Sequence, residues 1–195
     1  MATTSLFVEI LVIGSIAEIW IALLLLSFVD INAALASPTV ALMEKFSTLL
    51  LFPLLAITYA IGWVINFLAE TAFKPYFQKR FRDQVFKRAD VSYTEARSTV
   101  FQISSEEVIT EMEFDRHILR ITRGSVLNFL MIAIVLLLRV DKGSPVVIAG
   151  ISLSLAIAIV SLFQWMTRYR HSYSRILDAY KAISPKIESR SKLRK

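Results

Sequence analysis

Residues 144–167 read SPVVIAGISLSLAIAIVSLFQWMT, a run of 24 residues without a charged side chain. An α-helix rises 1.5 Å per residue and needs about 20 apolar residues to cross a hydrocarbon core about 30 Å thick, so this run is long enough to span a membrane. Two more blocks have the same length: residues 6–29, interrupted by Glu9 and Glu18, and residues 46–69, which carry no charge. These blocks predict a polytopic membrane protein.

A fourth apolar block is shorter, because residues 124–138 give only 15 residues between Arg123 and Arg139. They cover about 22 Å of helix. Either the two arginines reach opposite interfaces and the helix spans, or the block is re-entrant. A re-entrant block would separate two basic segments across the membrane, against the positive-inside rule. We therefore expect an all-α fold with four transmembrane helices.

The basic residues are unevenly distributed along the chain. Of the 22 lysines and arginines, ten lie in residues 71–123, nine in residues 168–195, and three in the connections at 30–45 and 139–143. Because such residues collect on the cytoplasmic side, we expect both termini and the long central loop there. The net charge of +6 is then explained by orientation in the membrane and by attraction to anionic lipid headgroups, and no nucleic-acid partner is expected.

These boundaries predict four segments. Residues 1–70 hold transmembrane helices one and two, and residues 71–123 form a cytoplasmic helical hairpin that extends spans two and three. Residues 124–167 hold transmembrane helices three and four. Residues 168–195 form a cytoplasmic basic helix to about residue 182 and then a mobile tail.

The start of the hairpin has a helical period. Phe73, Phe77, Phe81 and Val85 recur every four residues with basic residues between them, which is typical of an amphipathic helix. The stripe either enters the membrane boundary or packs against Val108, Met112 and Leu119 of the helix that leads into span three. The basic residues are candidates for contact with headgroups or with a cytoplasmic protein partner: Lys74, Lys79, Arg80, Arg82 and Lys87.

Two helix starts are predicted in the rest of the hairpin. Asp90 or Ser92 can cap a short helix over residues 93–102. Ser104 and Glu107 have the spacing of a capping box, which would begin the helix that continues into span three.

Glu18 lies near the middle of span one, where an ionised carboxylate costs about 2.5–3.5 kcal/mol on insertion scales. No lysine or arginine occupies the middle of another span, so the carboxyl group must be protonated, hydrated or bound to a cation. Gly14 and Ser15 lie on the same helix face, and the antiparallel span two brings Thr58 and Tyr59 to the same depth. We predict a hydrogen bond between Glu18 and Thr58 or Tyr59, and a proton or cation site. The alternative is a protonated glutamate that holds helices together.

Glu9 lies about one turn inside the cytoplasmic interface, on the opposite side of the helix from Glu18. We expect it to reach water or a lysine. Spans two and four also carry small or polar stripes that predict helix packing, with a subunit interface or a pore lining as the alternative. The stripe residues are Gly62, Asn66, Gly150, Ser154 and Ser161. Asn128 could cap the bundle at its cytoplasmic end.

Catalytic and metal-binding signals are weak. Glu107, Glu111 and Asp115 line one helix face, and Glu113 with His117 forms an acid–histidine pair, but no second histidine completes a metal site. Arg116 and Arg120 are spaced for surface ion pairs with these acids, so a solvated charged face is predicted. The chain has no cysteine, which excludes disulfides and thiolate metal sites. No metal, cofactor or enzyme activity is expected.

Two functions remain for a chain of this layout. The first is a homo-oligomeric channel or pore-forming subunit with cations as the permeant ions, because four spans are too few to enclose a path alone. The second is a non-conducting membrane anchor, accessory or sensor subunit that docks a cytoplasmic partner. The short loops and the absence of cysteine favour a bacterial inner (plasma) membrane.

Overall fold

The computed structural model describes residues 2–28, 47–87, 89–138 and 144–192. Helices and turns account for these residues, and no β-strand occurs among them, so the all-α prediction is confirmed. A π-helical segment, Lys74–Gln78, follows the second helix. The α-helices are α1 (Ala2–Leu25), α2 (Ser47–Phe73), α3 (Lys79–Phe86), α4 (Tyr93–Ile103), α5 (Glu106–Leu138) and α6 (Pro145–Lys192).

Among the described residues, four helical stretches are long and apolar enough to cross a membrane, which confirms the prediction of a multi-pass membrane protein. The short third block belongs to α5, a continuous helix of 33 residues, so the re-entrant alternative finds no support in the backbone. The connections expected at residues 30–45 and 139–143 lie outside the described residues, as does the end of the tail, residues 193–195. The four helical stretches that are long and apolar enough to cross a membrane are Thr4–Leu25, Leu50–Phe86, Glu106–Leu138 and Pro145–Pro185.

The chain divides into two compact units. Unit 1 comprises Met1–Glu70 and Arg120–Leu162, and unit 2 comprises Thr71–Leu119 and Phe163–Lys195. Therefore α5 and α6 each contribute one part to unit 1 and another part to unit 2.

Unit 1 is organised around a close contact between α1 and α2. A methyl group added at Gly14 would overlap the carbonyl oxygen of Thr58, and one added at Gly62 would overlap the carbonyl oxygen of Ile10. The two helices thus touch backbone to backbone, which small residues permit in lipid. A buried apolar cluster lies beside this contact, with partly buried neighbours around it. Its buried members are Ile13, Ala17 and Ile65.

Unit 2 is held by aromatic side chains from α6. Phe73 and Phe77 lie against Trp165, with ring centroids 5.6 and 5.4 Å from it, and Phe81 lies 6.2 Å from the Tyr169 ring. The phenylalanine stripe therefore packs inside the protein and makes its ring contacts with α6, while its packing against α5 stays a prediction. The residues available on α5 were aliphatic, whereas α6 offers flat rings that stack and meet edge to face.

The described helix ends confirm one prediction and contradict another. Ser92 caps α4 by accepting a hydrogen bond from the Glu95 N–H at 3.2 Å. The capping box at Ser104 is wrong, because Ser104 ends α4, its hydroxyl oxygen is buried without a hydrogen-bond partner, and α5 begins at Glu106.

The last helix is longer than expected. The sequence predicts its end near residue 182, but α6 continues through Pro185 to Lys192. Tyr180 and Ile183, shortly before the proline, pack against the buried side chains of Ala96, Val100, Met112 and Ile176. Pro185 removes one backbone donor without ending the helix.

Candidate functional site

Glu18 lies half-buried in an open groove of about 510 Å³ between α1 and α2. Its Oε1 atom is within hydrogen-bond distance of Oγ1 of Thr58, as the sequence predicts for one of the two candidate partners. The side chains on either side of the carboxyl group are apolar and exposed, which leaves the groove open at the surface of unit 1. They include Val8, Val12, Leu51, Leu54 and Leu55.

Thr58 makes a second contact that bears on the carboxyl group. Its Oγ1 atom lies 2.9 Å from the backbone oxygen of Leu54, one turn earlier in α2. A hydroxyl group has one hydrogen, so it can donate to Leu54 or to Glu18, but not fully to both. The two short contacts therefore constrain where the protons of this site lie.

The other residues predicted around Glu18 have different surroundings. Gly14 is buried against the Thr58 backbone and lets Thr58 approach α1. Ser15 lines the groove, but its hydroxyl donates to the Leu11 carbonyl oxygen at 2.9 Å. The ring of Tyr59 stacks on Phe7, with centroids 5.2 Å apart, so Thr58 is the partner that Glu18 takes from α2.

Sequence reasoning missed the role of Glu9. This side chain is buried, with 3% of the residue exposed, and its Oε2 lies 3.2 Å from Nη1 of Arg120 on α5. Ser5 donates a further hydrogen bond to Oε1 at 3.1 Å. The expectation of water or a lysine was wrong, because α5 brings an arginine of the assumed loop against α1.

Arg123 forms a second charged contact in unit 1. Its Nη2 donates to Oδ1 of Asn66 at 2.9 Å and lies 3.4 Å from Oε2 of Glu70, and 13% of its side chain is exposed. We expected Arg123 to extend toward an interface and Asn66 to serve a packing or pore stripe. Instead, the amide oxygen of Asn66 and the carboxylate of Glu70 hold the guanidinium between α2 and α5.

Asn128 is a third polar link. It has no exposed surface, and its Nδ2 donates to the Ile13 carbonyl oxygen at 2.8 Å. The indole N–H of Trp20 donates to Oδ1 of Asn128 at 3.2 Å. Both groups of the amide are therefore used, and Asn128 joins α5 to α1 along one face.

No known protein family, curated protein or solved structure matches this chain. Its function is therefore inferred from the chemistry of its own residues.

The stripe predicted on span four is partly buried in unit 1. Ser154 and Ala158 are buried, while Gly150 and Ser161 are half-buried. A methyl group at Gly150 would meet only the tip of the Leu136 side chain, at 3.1 Å. The packing around Gly150 on α6 therefore leaves more room for an added methyl group than the glycine contact between α1 and α2 does.

The predicted basic contacts lie in unit 2. Lys74, Lys79, Arg80 and Lys87 are exposed, and Arg82 is half-buried and paired with Asp83 at 3.0 Å. Contact of these residues with headgroups or with a partner stays a prediction.

Asp115 contradicts the predicted solvated face of α5. Only 2% of it is exposed, and its carboxylate lies 3.0 Å from Nη1 of Arg175 and 3.4 Å from Nη1 of Arg168. The guanidinium of Arg116 lies over the Phe101 ring at 5.1 Å. Within the described residues, no group of three or more acids and histidines is placed to hold a metal ion.

Proposed function

We propose that this chain is a subunit of a homo-oligomeric, cation-conducting membrane channel. In this proposal a second copy covers the groove that contains Glu18 and Thr58, and the covered groove forms the cation site. The supporting observation is a carboxyl group held in an open apolar groove on the surface of unit 1.

A polar side chain that faces lipid carries a free-energy cost. Carboxyl groups inside a bilayer face protein or water, because acyl chains offer no hydrogen bonds. The walls of this groove are exposed in the single chain. A helix of another copy would cover the carboxyl group and could supply further polar groups to it.

The glycine contact gives a second reason for a path between copies. Gly14 and Gly62 bring the α1 and α2 backbones together, with Gly14's methyl position 3.1 Å from the Gly62 nitrogen. That contact leaves no room for an ion to pass between these two helices. Conduction past Glu18 therefore requires the outer side of the groove, where a neighbouring subunit would sit.

Single-cysteine cross-linking tests the proposed interface, since the chain has no cysteine of its own. Leu54→Cys in liposomes should form disulfide-linked dimers on mild oxidation. Leu153→Cys, an exposed position on α6, is the matched control and should stay monomeric. Dimers at residue 153 with none at residue 54 would contradict the interface.

Ion flux into liposomes tests conduction. Purified protein should pass a monovalent cation, and Glu18→Gln should reduce the flux, whereas Glu107→Gln, an exposed acid of unit 2, should leave it unchanged. Protein that stays monomeric in lipid and forms tight liposomes would refute the channel. The exposed basic residues of unit 2 then favour the alternative, a non-conducting subunit that docks a cytoplasmic partner.

We further propose that both termini, the hairpin of residues 71–123 and the tail from residue 168 face the cytoplasm of a bacterial cell, with anionic lipid near the basic residues. The 19 basic residues in the hairpin and tail, against three in the connections, support this orientation. Gln102→Cys should react with an impermeant maleimide only after the membrane is opened. Lys142→Cys should react in intact cells, and the reverse pattern would invert the topology.

A further inference from the structure

The protonation state of Glu18 can be argued from its hydrogen bonds. A threonine within an apolar helix donates its hydroxyl hydrogen to the carbonyl oxygen four residues earlier, since that oxygen is always within reach. Thr58 has this geometry, with 2.9 Å between its Oγ1 and the Leu54 oxygen. The carbonyl oxygen has no hydrogen to give, so the hydroxyl must be the donor in that bond.

This assignment uses the only hydrogen of the Thr58 hydroxyl. The close contact between Oγ1 of Thr58 and Oε1 of Glu18 then needs a hydrogen from the carboxyl group. An ionised carboxylate would place oxygen lone pairs against oxygen lone pairs in an apolar groove, which is strongly unfavourable.

Among the residues that the structure describes, no counter-charge lines the groove to favour the ionised form. Glu18 is the sole titratable residue among those that line it. The arginines described in unit 1 are engaged elsewhere: Arg120 binds Glu9, and Arg123 binds Asn66 and Glu70. The phenol of Tyr59, the neighbour of Thr58, belongs to a ring stacked on Phe7.

We infer that Glu18 is a proton-binding site: a neutral carboxylic acid that donates its hydrogen bond to Thr58, in a groove open to the membrane. The second part of the inference rests on the proposed function and names its ion, the proton. A carboxyl group that already holds a proton, with no second ligand oxygen from a charged group, suits proton exchange better than binding of a metal cation.

A neutral acid in an open apolar groove has a distinctive reactivity. A hydrophobic carbodiimide takes the carboxyl proton on one nitrogen while the carboxyl oxygen adds to its central carbon, which gives an O-acylisourea. Migration of the acyl group to nitrogen then gives a stable N-acylurea, and no atom is lost. The first step consumes the acid's proton, so an ion-paired carboxylate such as Glu9 does not undergo it.

The test uses the full-length protein in liposomes treated with dicyclohexylcarbodiimide, followed by peptide mass spectrometry. We expect the adduct on Glu18, no adduct on Glu9, and loss of the adduct in Glu18→Gln. A water-soluble carbodiimide should modify the exposed Glu107 and leave Glu18 unmodified. An unmodified Glu18, or equal modification of Glu9 and Glu18, would overturn the inference.

Flux measured on the same liposomes separates this inference from the proposed function. Proton flux that falls as the Glu18 adduct accumulates supports both. Sodium or potassium flux from protein whose Glu18 stays unmodified overturns the proton assignment and leaves the channel intact. An adduct on Glu18 without flux of any cation supports the protonated acid and overturns the channel.

Discussion

Arg120 of α5 places Nη1 3.2 Å from Oε2 of Glu9 on α1, and this contact joins two transmembrane helices through a nearly buried carboxylate. The Glu9 side chain is 4% exposed, whereas a third of the arginine side chain remains accessible. Glu18, on the same helix, has a threonine as its partner instead. The two acids of α1 therefore have partners of different charge.

Glu9→Gln should destabilise the protein by about 3 kcal/mol, because it leaves the Arg120 charge without its partner in a low-dielectric site. Glu18→Gln is the matched control. If Glu18 is neutral, its amide replacement can still donate to Thr58, and the free energy of unfolding should change by less than about 0.5 kcal/mol. Unfolding by sodium dodecyl sulfate from mild detergent measures both, and equal losses would contradict the assignment.

Gly62→Ala should destabilise unit 1 by at least about 2 kcal/mol, since the new methyl group meets the Ile10 backbone and helix backbones cannot rotate out of the way. Gly150→Ala introduces the same methyl group against the flexible end of Leu136. It should be neutral, or stabilising by up to about 1 kcal/mol from helix propensity. Thermal unfolding in detergent compares the two, and a tolerated Gly62→Ala would exclude the backbone contact.

Asp115→Asn should cost about 3 kcal/mol in unit 2, because two arginines lose the one buried carboxylate that they share. Glu111→Gln removes an exposed acid 3.5 Å from Arg175 and should cost less than about 0.5 kcal/mol. High salt should not abolish the difference, since the Asp115 carboxylate is screened little by ions. Chemical unfolding at low and high salt provides the measurement.

The bond between Trp20 and Asn128 should appear in a double-mutant cycle of Trp20→Phe and Asn128→Leu. Each single variant should lose about 1–2 kcal/mol, and the coupling between them should be about 0.5–1 kcal/mol, as for other hydrogen bonds between membrane helices. A coupling of zero would mean that Asn128 acts only through the Ile13 carbonyl oxygen.

The local features of the fold could be predicted from sequence. Apolar length predicts four helices able to span a bilayer, and antiparallel order places Thr58 beside Glu18. The Ser92 cap depends only on residues within one turn. These features are decided by hydropathy and by short-range geometry.

The pairings between distant helices could not be predicted. Arg120 was counted with the basic loop because hydropathy has no information on which helix a charge faces. Asp115 was counted with a solvated face for the same reason, although Arg168 and Arg175 lie more than fifty residues later in the chain. The contacts between Trp165 and the phenylalanine stripe likewise could not be predicted, because packing between distant helices leaves no local pattern in the sequence.

The π-helical segment Lys74–Gln78 sets the angular position of the helix that follows it. A π turn holds one more residue than an α turn, so rewinding this segment to an α-helix with all its residues kept would rotate α3 by about 100°. Phe81 would then swing away from Tyr169 while Phe73, upstream, kept its place beside Trp165. The extra residue of the π turn thus lets both ends of the aromatic row meet the same helix, and a chain shortened by one residue at this point would keep that register as a continuous α-helix.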